Sequence, residues 1–394
     1  MSSSKDKLLA FFTLVWSWIK RYCRKAWNWY AGLYRGARWY KKLAVGFVSF
    51  ILFFIFYLVA VNLNLFWLFG KSPTIHSIMN PQTSTASMLY SADGVMIGKY
   101  FNENRTPVEY SDINPIFFKA LIDTEDERFY SHHGIDFQGL FAAAKDMLAG
   151  RARGASTITQ QLVKNMFRVR TQYSTGLLGK VPGLKIVIMK SKEWILAVEL
   201  EMFYSKEEIL TMYANTVDFG SNAYGIKTAA KTYFNVEPRD LNAEQSAVLV
   251  GLLKATSTYN PKLNPKNSLR RRNVVLQNMQ SHGDLTKQQF DSISALPIDL
   301  NFRVENAYDG QALYFRQAVA AELREWCRDN GYDLYGDGLK IYTTIDTRLQ
   351  KYAEDAARKH MKQLQSNFRS HWGSTNPWQD ENHREIPGFI EDIY

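Results

Sequence analysis

The feature that most restricts what this chain can fold into is an uncharged apolar run over residues 43–61, continuing with little polarity to Phe69. At 1.5 Å of rise per residue, about 20 such residues cross the hydrocarbon core of a bilayer as a helix. A cleavable leader would begin nearer the N-terminus and have a shorter apolar core ending in small residues, so the run predicts a retained anchor. Charge sets its direction. Residues 1–42 hold ten Lys or Arg against one acid, Asp6, whereas the remaining 352 residues carry 38 basic and 37 acidic side chains. Positive flanks stay in the cytoplasm, which places residues 1–42 inside and everything beyond about residue 70 outside. The near-neutral remainder offers no basic face to nucleic acid, so the net charge of +10 reads as a membrane signal. Cys23 and Cys327 fall on opposite sides of the membrane and cannot pair.

Residues 8–19 are too short to span, and with Trp16, Trp18, Trp27 and Trp29 around them they read as an interfacial segment along the inner leaflet. Beyond the anchor, residues 72–82 contain Pro73 and Pro81 and suit a linker. Residues 87–101 read as two short strands around the Asp93-Gly94 turn. From 114 to about 280 apolar residues recur at helical spacing, except over 168–190, where Gly176, Gly179, Pro182 and Gly183 interrupt an apolar stretch. That stretch is read either as a mobile flap touching lipid or as a buried hairpin. Further on, a helix is expected over 312–327, a strand over 338–346 and a helix over 349–365; the abrupt end resembles that of a fragment.

Chemistry concentrates in five stretches. Asp123, Glu125, Asp126 and Glu127 crowd the end of a helical pattern beside His132, His133 and Gly134. A carboxylate at such a helix mouth can have its proton affinity tuned by burial and like charges, as a general acid or base needs, although acidic helix ends are more often solvated surface. Thr157-x-x-Gln160 has the spacing of a capping box in a stretch flanked by Arg151 and Arg153, which describes either an anion site or an ordinary capped helix. Lys190-Ser191-Lys192-Glu193 is expected to open a helix, and alone reads as an exposed ion pair. Lys206-x-x-Ile209-Leu210-x-x-Tyr213-x-Asn215 and Arg271-Arg272-x-x-Val275-Leu276 complete the set.

In order and spacing these stretches resemble the five motifs of the family 51 peptidoglycan glycosyltransferases, beginning with Glu125-Asp126-x-x-Phe129-x-x-His132-x-Gly134 and Gly154-x-Ser156-Thr157-Ile158-Thr159-Gln160-Gln161. Residues 338–350 resemble the connector that leads, in class A penicillin-binding proteins, to a transpeptidase domain. That domain's own motifs are missing beyond the anchor, so no transpeptidase activity is expected from this chain. The resemblance implies a mainly α fold: a lysozyme-like glycosyltransferase domain with a small β edge, preceded by one transmembrane helix. The expected organisation is a cytoplasmic basic segment (1–42), a transmembrane helix (43–69), a linker and small β region (70–113), the glycosyltransferase domain (114–283) and the connector (284–394).

The activity implied is polymerisation of lipid II into glycan strands by inverting transfer, with release of polyprenyl pyrophosphate, on the outer, periplasmic side of the bacterial cytoplasmic membrane. Glu125 and Glu193 are the implied catalytic residues: Glu125 as the base on the acceptor 4-hydroxyl, Glu193 in binding or in positioning a metal. Arg153, Ser156, Lys164, Lys190 and Lys192 are implied for the leaving pyrophosphate, and Gln161 and Asn165 for orienting phosphate or sugar. Asp126, His132, Thr157, Gln160, Tyr213 and Asn215 are counted with the substrate-binding set, Asp126 and His132 through the turn that presents Glu125. A divalent cation, Mg or Mn, is the implied cofactor. The implied partners are lipid II, the growing strand, the bilayer and other proteins of cell-wall synthesis, division or elongation. Departures from the pattern are Met189 where an Arg is usual, Ala155 where a Gly is common, and a long 166–189 interval; Arg168, Arg170 or Lys185 are candidates to supply the missing charge. The competing readings are a lysozyme-like lytic enzyme using Glu125 as an acid, and a non-catalytic membrane scaffold.

Overall fold

The computed structural model describes residues 4–79, 85–101, 104–150, 154–167, 169, 173–304, 311–373 and 378–386; Arg153, Arg168 and Arg170 lie outside the described residues. In chain order the first helices are α1 (Ser4–Tyr34), α2 (Trp39–Asn62), α3 (Ile75–Met79), α4 (Pro115–Glu125), α5 (Phe137–Leu148), α6 (Ile158–Met166) and α7 (Leu184–Phe203). They are followed by α8 (Lys206–Thr216), α9 (Ile226–Phe234), α10 (Ala243–Leu252), α11 (Pro265–His282), α12 (Lys287–Ser294), α13 (Leu313–Asn330) and α14 (Thr347–Trp372). Three strands, β1 (Ser87–Tyr90), β2 (Met96–Tyr100) and β3 (Lys340–Tyr342), make one sheet. The chain divides into two units, Met1–Ile78 with Phe167–Leu200, and Met79–Met166 with Glu201–Tyr394.

In the first unit α2 is long and apolar enough to cross a membrane, with a mean hydropathy of 2.7 over an 18-residue stretch. It starts earlier than composition predicts and stops at Asn62, short of Phe69. The reason is local: Asn64 adopts a left-handed conformation, its side chain accepts from the Phe69 amide at 3.2 Å, and residues 65–67 tighten into a 3-10 turn. Helix α1 runs well past the interfacial segment expected over 8–19. Near the α1–α2 turn, Tyr30 donates to Ser49 Oγ at 3.0 Å.

The interrupted stretch is not a buried hairpin, since Leu177, Val181, Ile186 and Val187 are exposed. Helix α7 begins at Leu184, directly after the Pro182-Gly183 break, and not at Lys190 as expected. Ahead of it, the Leu178 amide donates to Leu68 O at 3.0 Å and the Leu177 amide to Trp67 O at 3.4 Å, tying this stretch to the chain that leaves α2. Gly176, at φ +63°, makes that approach possible, since a Cβ there would lie 2.4 Å from the Leu68 carbonyl. Helix α7 packs along the last turns of α2: Ser191 donates to Tyr57 OH at 3.1 Å, Trp194 meets Phe54 edge-on, and Ile188 joins Ala60, Val61 and Phe69 in a buried cluster.

In the second unit α4, α10 and α11 pack against one another, and α6 against α8. Phe117, Leu121, Val248, Leu252, Val275, Leu276 and Met279 are fully buried there. The helix starts follow the capping rules: Asn114 with Pro115 for α4, and full capping boxes Ser205/Glu208 for α8 and Asn242/Gln245 for α10. Strands β1 and β2 pair antiparallel around Asp93-Gly94 as the sequence predicts, and β3 adds in parallel to β1 with Met88 opposite Lys340. Leu89, Ile97 and Tyr100 bury against Ala320, Cys327 and Leu334, so the β region and the segment after residue 312 share one core.

Candidate active site

Helix α4 ends at Glu125 because Asp126 leaves helical geometry (φ −160°, ψ 69°) and turns its side chain inward. Buried Asp126 has its oxygens 3.0 and 3.1 Å from His132 Nε2, and Oδ2 accepts from the Ile158 amide at 2.9 Å. It thereby stops α4, fixes the histidine turn and caps the start of α6. Thr157 supplies the side-chain cap, accepting from the Gln160 amide at 3.2 Å. Only half of the predicted capping box forms, because the Gln160 side chain donates to Gly134 O at 2.9 Å, as does the Thr157 hydroxyl. Lys206 holds the same turn from α8, donating to His132 O and Glu201 Oε2, each at 2.7 Å, above the Phe129 ring.

Glu125 stands on this platform with its side chain 17% exposed. Gln161 Nε2 donates to Oε2 at 2.9 Å, and Arg271 Nη2 lies 3.7 Å from Oε1. Gln161 Oε1 in turn accepts from the buried Tyr213 hydroxyl at 3.0 Å. Ser156, Lys164 and Asn165 are half-buried; the last two sit one turn along α6 from Gln161 and share its face.

Arg271 was absent from the sequence-derived site, yet the signal was there. Residues 271, 275, 278 and 282 form one helical stripe, and from it Arg271 faces Glu125, Asn278 reaches Thr124 and His282 reaches Asp123. Arg272 points elsewhere. It is fully buried, pairs with Glu244 at 2.8 Å and donates to the carbonyls of Ile293, Ser294 and Leu296. Asn215 is likewise used in the framework, exchanging two hydrogen bonds with the Val108 backbone at 3.0 and 2.8 Å.

The remaining motif residues belong to the first unit. Buried Glu193 accepts from Lys190 Nζ at 3.1 Å on α7. Lys192, expected among the cations for the leaving group, turns its ammonium to backbone carbonyls of its own unit. Its buried ammonium donates to Gly70 O, Lys71 O and Ser174 O at 2.9, 2.7 and 3.0 Å, and burial draws its pKa down to about 8. Met189 is buried and packs as an apolar residue. Among the described residues no three His, Cys, Asp or Glu side chains converge as a metal cage. A cation here would take Glu193 from the protein and its other ligands from phosphate oxygens and water, a mode that suits Mg²⁺.

Residues 93–280 match the family model described as Transglycosylase. Penicillin-binding protein 1A of Escherichia coli K12 is 37% identical over 292 residues, covering 73% of this chain and 32% of that protein. Penicillin-binding protein 1A of Neisseria gonorrhoeae is 36% identical over 325 residues, covering 82% and 38%. The chain thus spans about a third of the length of the curated relatives it matches. A crystal structure of penicillin-binding protein 1A from Haemophilus influenzae aligns with a TM-score of 0.38 and 24% identity, covering 70% of this chain and 29% of that one.

Proposed function

This chain belongs to the transglycosylase family through its residues 93–280, and on that premise we propose that it is the membrane-anchored glycosyltransferase part of a peptidoglycan polymerase. It joins lipid II units into glycan strands. The observation that carries this reading is the setting of Lys190 and Glu193, on a helix whose neighbouring residues Ser191 and Trp194 pack against Tyr57 and Phe54 of the apolar helix α2. A charged pair held beside the end of a membrane helix is at the depth of lipid headgroups, where the pyrophosphate of a lipid-linked sugar lies. Exposed Leu177, Val181, Ile186 and Val187 in the same unit offer an apolar outer surface suited to the bilayer.

In this reading Glu125 takes the proton from the acceptor sugar's 4-hydroxyl as that oxygen attacks the donor's anomeric carbon. The new C–O bond forms as the bond to the pyrophosphate oxygen breaks, and attack opposite the leaving group inverts the centre. Both Glu125 oxygens face donors, Gln161 and Arg271, which suits a proton acceptor and not an acid that must carry its own proton. Lys190 is the cation on α7 for the leaving group, and a divalent cation at Glu193 would neutralise further charge there. The basic residues 1–42 support a cytoplasmic N-terminus, with the residues beyond the apolar helix outside.

The test is polymerisation of labelled lipid II by the full chain in detergent, with Glu125→Gln beside it. Long glycan from the wild type and none from the variant is expected. Soluble fragments released from finished peptidoglycan would point to a lytic enzyme, and equal behaviour of the two proteins would remove Glu125 as the base.

A further inference from the structure

We propose that Tyr213 is a positioning residue for the transfer reaction, acting through Gln161 to aim the Glu125 carboxylate, and that neither Tyr213 nor Gln161 serves chiefly to bind substrate. This rests on the reading of Glu125 as the base.

The inference follows from which atoms can donate. Tyr213 sits on α8 with 1% of its surface exposed. Burial, and after it the negative charge of Glu125, raises its pKa well above the ordinary value, so its hydroxyl stays protonated and donates. The acceptor is Gln161 Oε1 at 3.0 Å. An amide has one acceptor end and one donor end. With the oxygen turned toward Tyr213, the NH₂ group faces Glu125, and Nε2 donates to Oε2 at 2.9 Å. Flipping the amide would turn its oxygen against the carboxylate, which only accepts, and would take away the acceptor of the tyrosine proton. The carboxylate and the buried hydroxyl therefore agree on one amide orientation, and the hydroxyl anchors the amide that holds one carboxylate oxygen.

The other oxygen is held from α11. Arg271 Nη2 lies 3.7 Å from Oε1, and the arginine stem passes α10 at Gly251, where an added Cβ would come within 3.1 Å of Arg271 Cγ. Glu125 is thus gripped across its two oxygens by α6 and α11, leaving its remaining lone pairs to meet the acceptor hydroxyl. Catalysis by a positioned base loses steeply when the base swings out of line.

The deciding experiment is steady-state lipid II polymerisation by the full chain carrying Tyr213→Phe or Gln161→Glu, with wild type and Glu125→Gln in the same assay and thermal melting as a folding control. For Tyr213→Phe, loss of one neutral hydrogen bond predicts a fall in kcat of about fivefold, with KM for lipid II held within about twofold. For Gln161→Glu, a second carboxyl group still accepts from Tyr213 but now shares a proton with Glu125, so the acid limb of kcat/KM moves up by about one pH unit or more. Tyr213→Phe that raises KM while sparing kcat, or Gln161→Glu with the wild-type pH profile, would overturn the proposal. Should Tyr213→Phe fail to fold, the pH profile of Gln161→Glu decides alone. Failure of the underlying reading shows separately, as full activity in Glu125→Gln.

Discussion

Replacing Lys192 by Met separates a structural lysine from a catalytic one. In the structure its three ammonium protons go to Gly70 O, Lys71 O and Ser174 O. Hydrogen bonds from a charged donor contribute about 1.5–3 kcal/mol each, so three give roughly 4.5–9 kcal/mol. Against this stands the cost of keeping an ammonium where burial lowers its pKa from 10.5 to about 8, about 3 kcal/mol at 1.36 kcal/mol per unit. The balance is a loss of roughly 1.5–6 kcal/mol, placed where the chain leaving α2 meets the stretch before α7. Two units in one chain make a single melting temperature a poor measure. Hydrogen exchange at Leu177 and Leu178 reads the right place, because their amides bond to Trp67 O and Leu68 O. In Lys192→Met their exchange should rise about tenfold or more. The folded-state pKa is depressed, so over pH 8 to 10.5 the unfolded chain binds more protons and wild-type stability climbs with pH; the variant should lack that climb. Unchanged exchange together with lost polymerisation would refute the reasoning and return Lys192 to the leaving group.

Two further outcomes follow from the same geometry. Gly176→Ala forces a Cβ to 2.4 Å from the Leu68 carbonyl at a φ of +63°, and should raise exchange at Leu177 and Leu178 as Lys192→Met does, by at least about tenfold; unchanged exchange would mean the contact is not held. Asp123 is lifted to about pH 6, first by burial and then by the nearby Asp284, while His282 is also raised, by its bond to Asn278 O and by the Asp123 and Glu127 charges. Both folded-state values exceed the unfolded ones, so their contribution is full at low pH and lost as pH rises through about 6 for Asp123 and beyond for His282. Denaturant unfolding of Asp123→Asn between pH 4 and 7 should show a shallower decline than wild type, and parallel curves would contradict the assignment.

How much of this was legible in the sequence varied with how local the cause was. The strand pair around Asp93-Gly94 and a helix long and apolar enough to cross a membrane both follow from short-range pattern, and the structure has them. The parallel pairing of β1 with β3 joins residues some 250 positions apart, and no periodicity in either strand announces its partner. The fate of Lys192 was hidden for a similar reason, since its acceptors are carbonyls of irregular backbone at 70, 71 and 174, and main-chain oxygens leave no mark in composition. Arg271 and Arg272 were separable in principle. Arg272 shares its helical face with the buried Leu276 and Met279, whereas Arg271 lies on the stripe that runs past the end of α4.

The five motifs contain two kinds of polar side chain, and burial sorts them. Asp126, Thr157, Gln160, Lys192, Tyr213 and Arg272 are buried, and hydrogen bonds within the protein satisfy them because a buried polar group left without a partner costs more than its bond returns. Lys164, Asn165 and Lys190 keep part of their surface in solvent, where an anionic substrate can reach them. Loss of activity on substituting a motif residue therefore does not by itself mark a substrate contact. A buried member should lose folded structure, or kcat alone, whichever lipid-linked sugar is offered. A half-exposed one should change KM with the charge of the leaving group while local exchange stays as in the wild type.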